Sequence, residues 1–341
     1  VPAGVSSATK ALYGGGDTGS VVNTIDTVTI ATTGNAIDFG DLTAVRKGLG
    51  GDSNNTKAVF LGGNTVNDAA TPTNIIDFVT IASTGNATDF GDLTAARLRG
   101  GSASDAHGGL GEDEDYFFQR PSVLYMPGSG RTLICGGQLS PGAGTVDIDT
   151  YNIPTLGNAR NFGDLSKTAS NGVGCASSYT RAVFSSGYYF TSPYYSTEMQ
   201  AIEFATEGNV CDFGDTTQER YGMAYGNVGN TTRGLFMGGY VPSSPYIVNI
   251  IDYITIPTMG NATDFGDLTN VKQSPAAASN NTRGINFGGT TPTNINIIDY
   301  VTIASTGNAL DFGDSSVTRS NYTGAASTVR AVAAGGGTPG V

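Results

Sequence analysis

The chain has no tryptophan and one histidine, His107, in 341 residues. Cysteines number three, only 13% of residues are charged, and no run of 18 apolar residues occurs. Each scarcity closes off a class. Catalysis usually needs a tuned acid, base or nucleophile, and one histidine supplies little of that. Cys135, Cys175 and Cys211 are odd in number and fall in different segments, so they read as buried free thiols rather than a disulfide framework; assembly in a reducing cytoplasm is compatible with this. Without a long apolar run nothing inserts in a membrane. A net charge of −12 argues against nucleic acid, whose phosphates require clustered Lys and Arg. No leader peptide is visible and the first residue is Val1, which fits processing or truncation.

What the chain has is repetition. GNATDFGDLT fills residues 85–94 and recurs letter for letter at 260–269, with relatives starting at Gly34, Gly157, Gly208 and Gly307. The six copies begin 51, 72, 51, 52 and 47 residues apart, so the long interval is one unit carrying about 21 extra residues. A period near 50 signals a solenoid or a propeller. Upstream of each copy lies a β-branched, mostly alternating run such as NIIDFVTIA, and before that a basic residue, an apolar stretch and usually Gly-Gly, as in KAVFLGG. A small-residue segment precedes the basic one. Each unit therefore holds four short strands: A (small), B (basic, then GG), C (IIDFVTIA) and D (DFGDL). No unit has room for a helix.

Four antiparallel strands per unit of this length make a β-propeller blade. The order resembles a kelch blade, with Phe39, Phe90, Phe162, Phe213, Phe265 and Phe312 where kelch repeats usually place tryptophan. The resemblance implies one all-β, kelch-like propeller over residues 1–341, with the Phe side chains in inter-blade packing. The phrase IDYITIASTGNATDFGDL followed by an arginine resembles repeats in virion structural proteins of marine tailed bacteriophages, which implies a virion component. Strands C and D occur six times but the basic B strand seven times, at Lys10, Lys57, Arg131, Arg181, Arg233, Arg283 and Arg330. Six full repeats plus a C-terminal A–B pair predict seven blade positions; a six-bladed ring with a spare hairpin is the alternative.

The repeated carboxylates invite a functional reading. Asp38, Asp89, Asp212, Asp264 and Asp311 precede the Phe (Asn161 replaces the third), and strand directions place them near the basic residue of strand B. Asp41, Asp92, Asp164, Asp215, Asp267 and Asp314 follow it, with Arg46, Arg97, Lys167, Arg220, Lys272 or Arg319 a few residues on. Structural ion pairs and turn hydrogen bonds are expected there. Calcium is the sharper option, yet the spacing of Asn86, Asp89 and Asp92 matches no calcium loop, so no metal or cofactor is expected. Galactose-oxidase copper chemistry on a kelch propeller needs two histidines, sialidase propellers carry Asp boxes with tryptophan, and nothing singles out a glycosidase carboxylate pair. The expectation is a non-enzymatic protein.

Function is then sought where the repeat breaks. The 102–128 insertion, between strands A and B of the third unit, sets Glu112 and Asp113 of an EDED run beside Tyr116, Phe117 and Phe118. It reads either as a solvated acidic turn or as a docking element for another subunit. The B–C loops of the fourth and fifth units bring Tyr188, Tyr189, Phe190, Tyr194, Tyr195 and Tyr240 toward one cluster on the opposite face, either a packed loop cluster or a surface for sugar or protein. The expected role is a bacteriophage appendage, fibre or decoration in the virion, docking other virion proteins or its own copies and attaching to a host-surface glycan or protein. The alternative is a bacterial secreted or cell-surface propeller that binds glycan or protein.

Overall fold

A computed structural model describes residues 2–66, 71–105, 130–171, 174–185, 187–189, 194–224 and 228–337. Among them every regular element is a β-strand. The first unit pairs Ala3–Ser6, Lys10–Asp17, Val21–Thr29 and Ile37–Asp41 in that order, and the second pairs Gly50–Ser53, Lys57–Leu61, Ile75–Thr80 and Thr88–Asp92. Units four and six repeat this four-stranded meander, and unit five shows three strands, Arg233–Tyr240, Ile247–Thr255 and Thr263–Asp267. Unit three is larger, because its outer strand Arg160–Asn171 runs on to pair with Tyr188–Tyr189.

Register explains the phrase DFGD. In the second unit Ile76 pairs with Gly91 and Asp77 with Asp89, so a bulge falls between them. The same irregularity recurs in all six units. Gly91 adopts a φ of 145°, and a Cβ there would lie 2.5 Å from the carbonyl carbon of Gly157 in the next unit. Only glycine satisfies both the conformation and the approach.

Six sheets of three or more strands are arranged as a β-propeller, so complete blades number six, the alternative above rather than the preferred seven. The seventh A–B pair is a two-stranded sheet, Thr323–Ala326 with Ala331–Ala334, seated between the inner strands of the sixth and first units. Apolar packing lies between neighbours. Leu12, Ile25 and Phe39 of the first unit pack on Ala58, Phe60, Val79 and Ile81 of the second, and five further clusters straddle the next junctions. A small one, Ala11, Tyr13, Ile30 and Ala325, joins the pair to the first unit. Five of the six Phe side chains are at most 3% exposed, as expected of blade packing; Phe312 is 56% exposed, a correction taken up below. Cys135 and Cys175 are buried free thiols, whereas Cys211 is exposed because it opens strand D on its outward side.

Candidate functional site

The repeated polar residues lock one blade to the next. Asp38, Asp89, Asp212, Asp264 and Asp311 each accept the amide of the glycine two residues on, at 2.8–3.0 Å, and so shape their own strand. They do not meet the strand-B cations as expected. The cations of the first five units donate to carbonyls of the following unit, among them Lys10 Nζ to Ile81 at 3.2 Å, Lys57 Nζ to Pro154 at 3.0 Å, and Arg233 to Ile303 at 2.9 Å. The asparagine of every Gly-Asn turn after the first also crosses the junction. Asn86, Asn158, Asn209, Asn261 and Asn308 accept the amides of Asp41, Asp92, Asp164, Asp215 and Asp267 at 3.0–3.1 Å.

The D–A cations have different partners from those expected. Arg46, Arg97, Arg220 and Lys272 reach into the next unit and pair with the strand-C carboxylates Asp77, Asp149, Asp252 and Asp299, with these eight side chains wholly buried. Burial pushes Arg46, Arg220 and Lys272 below their ordinary pKa, and the facing aspartate opposes that push. The sequence signal was a recurring Asp in the middle of an apolar strand, which the apolar pattern around it obscured. At the third junction Gln200 stands at the aspartate position and Ala169 at the cation position, and Lys167 turns outward to Glu198 at 2.7 Å. Among the described residues no group of three His, Cys, Asp or Glu is placed to hold a metal.

The loops of units four and five assemble something the lock does not use. Tyr194 stacks on Tyr188 with ring centroids 6.0 Å apart; Tyr188 meets Tyr195 at 5.9 Å and Tyr221 at 5.7 Å. Tyr221 continues to Tyr240 at 5.3 Å, and Tyr240 stacks on Tyr246 at 5.9 Å. The outermost rings, Tyr194 and Tyr246, are each 49% exposed and the others half-buried. Four of the expected residues, Tyr188, Tyr194, Tyr195 and Tyr240, thus come together. Tyr221 was missed because it lies in the D–A segment, outside those loops; Tyr246, after a cis Ser244–Pro245 bond, lies within the fifth unit's B–C loop but was not singled out there. Tyr189 is a correction. It is buried in the core with Cys135 and Phe184, since alternation on Tyr188–Tyr189 sends the two rings to opposite sides. Phe190 lies outside the described residues, as do Glu112, Asp113, Tyr116, Phe117 and Phe118 of the insertion.

The inner strands enclose a channel of about 280 Å³ walled mainly by Gly, Ala and Ser. Asp52 lines it. Enclosure by the ring pushes its carboxyl up to about 7, against a bond from Ser102 and with a further upward push from Asp105. Part of its surface stays open to the channel. No family model matches the chain, and no curated protein matches it.

Proposed function

We propose that this propeller is a non-enzymatic binding component of a bacteriophage particle and that its tyrosine surface attaches to a host-surface glycan. The observation that carries the reading is the unbroken run of six tyrosine rings from Tyr194 to Tyr246. Aromatic faces stack on the apolar faces of sugar rings while phenol hydroxyls bond sugar hydroxyls, and a rigid propeller presents them at little entropic cost. The resemblance of the repeat phrase to repeats of phage virion proteins supports the virion setting.

The test is binding to an array of bacterial surface polysaccharides and to intact cells. Tyr194→Ala with Tyr246→Ala should reduce binding at least about tenfold while the melting temperature stays within about 1 °C, because both rings sit at the outside of the stack. Binding that survives the double substitution, or recognition of protein receptors alone, overturns the glycan reading.

A further inference from the structure

Every junction from the first unit to the sixth is closed by parts that one unit offers and the next receives. The sixth unit offers the same parts with no receiver among the described residues. Phe312, 56% exposed, stands where Phe39, Phe90, Phe162, Phe213 and Phe265 are buried against the following unit. A Cβ added to Gly313 would meet nothing within 4 Å, whereas one on Gly40, Gly91, Gly163, Gly214 or Gly266 would strike the next Gly-Asn turn. Ser316 and Arg319 occupy the positions of Thr43 and Arg46, which both bind Asp77. Among the described residues Arg319 meets no carboxylate, and its guanidinium donates to the Gly335 carbonyl at 3.3 Å. Arg283, in the place of Lys10 and Arg233, is exposed, lies over the Tyr300 ring at 4.7 Å and caps no turn among the described residues.

The first unit shows the complementary half. Asp26 occupies the position of the buried Asp77, Asp149, Asp252 and Asp299, but it is exposed and no cation pairs with it among the described residues. Asn35, matching Asn86, accepts no amide there. Between these edges the strand Ala331–Ala334 pairs, among the described residues, on one side only, with Thr323–Ala326. An unpaired strand edge flanked by an apolar ring and two unmatched charges is a template for strand addition.

We propose that this slot takes a β-hairpin of the repeat's own C–D type, supplied from outside the described residues. Its first strand pairs with Ala331–Ala334 and carries an aspartate to Arg319 and Ser316. Its Gly-Asn turn covers Gly313 and Phe312 and receives Arg283, and a cation after its second strand reaches Asp26. A second copy of the chain does not fit. Each of its C–D hairpins is already paired with its own inner strands, which would have to enter the space held by Thr323–Ala326 and Ala331–Ala334.

The experiment uses a peptide of residues 247–272, which contains Asp252, Asn261, Phe265 and Lys272, titrated into the full chain. The expected result is saturable one-to-one binding with a rise in melting temperature. Binding should weaken at least about tenfold for Arg319→Ala or Phe312→Ala in the chain and for Asp252→Asn in the peptide. Phe312 and Arg319 are not buried, so these variants keep the fold. The same hairpin joined after residue 341 by a Gly-Ser linker should also raise the melting temperature, and Arg319→Ala should cancel the gain. A peptide that fails both free and fused, binding indifferent to Phe312 and Arg319, or a homodimer that buries this edge would each overturn the proposal.

Discussion

Arg220 and Asp252 offer a quantitative test of the inter-blade lock. Their side chains are wholly buried and 2.6 Å apart. Arg220 also donates to the carbonyls of Ile250 at 3.0 Å and Phe236 at 3.3 Å, while Asp252 accepts from the Thr217 amide at 3.2 Å and hydroxyl at 2.6 Å. Arg220→Met leaves a buried carboxylate without its cation, and Asp252→Gln leaves a buried guanidinium without its counterion. Each should cost about 3–5 kcal/mol, because an uncompensated buried charge dominates the loss. At roughly 2 °C per kcal/mol this is a fall of about 6–10 °C in melting temperature. The double variant removes both charges, fills most of the guanidinium volume, and keeps an acceptor for Thr217. It loses two neutral partners and should cost only about 1–2 kcal/mol. Urea unfolding of the four proteins in a double-mutant cycle should therefore give a coupling of several kcal/mol. Simple additivity would refute the lock.

Other outcomes follow from the same geometry. Phe90→Ala should lose about 3–5 kcal/mol and Phe312→Ala less than about 0.5 kcal/mol, measured by urea unfolding, because one ring is buried and the other exposed. Burial pushes the Tyr189 and Tyr322 phenols up to about 12 from an ordinary 10.0. Their folded values are raised, so the stability they contribute is complete below pH 10 and is lost as pH rises through 12. Tyr189→Phe should flatten that alkaline decline in a series of thermal melts. Asp52 is likewise raised, to about 7 from 3.8, so its contribution is present at acid pH and fades as pH climbs through 7. Asp52→Asn should remove that slope, and an unchanged slope would locate it elsewhere. A chelator should leave the melting temperature unchanged, since the Asp89 carboxylate is taken by the Gly91 amide and no group of three His, Cys, Asp or Glu among the described residues is placed to hold a metal; a clear drop would point to calcium.

The propeller was legible because its instruction is written six times: β-branched alternation for strand C, Gly-Gly after strand B, and Phe in strand D all recur at one spacing. The partners were less legible. Strand direction correctly put the C–D turn and the start of strand B on one face, yet it could not show that polar contacts run mainly from each unit to its successor. Asp89 therefore looked available to Lys57, although its carboxylate is taken by the Gly91 amide at 3.0 Å. Asp77 went unweighed because its neighbours are apolar, although a charge in such a strand must be paired. The tyrosine surface was half legible. Loop composition found Tyr188, Tyr194, Tyr195 and Tyr240, but Tyr221 joins them through a bridge between distant segments, Tyr221 with Tyr240.

The site and the lock are connected at the third junction. At the other four junctions between the first unit and the sixth, a cation three residues after the DFGDLT-type threonine turns inward to the next blade, as Arg46 does after Thr43. At the third junction that position is Ala169, and the backbone there stays extended, pairing residue 169 with Tyr189 and residue 171 with Tyr188. A buried ion pair would have held this segment against the following blade. Its replacement by Ala169 and Gln200 together leaves no unpaired charge, with Gln200 accepting the Ser166 amide at 2.8 Å. The freed strand then fixes Tyr188 from its backbone, and Tyr188 contacts Tyr194, Tyr195 and Tyr221 at once. Of the five junctions between the first unit and the sixth, the one without the buried pair is the one that orders the centre of the aromatic surface.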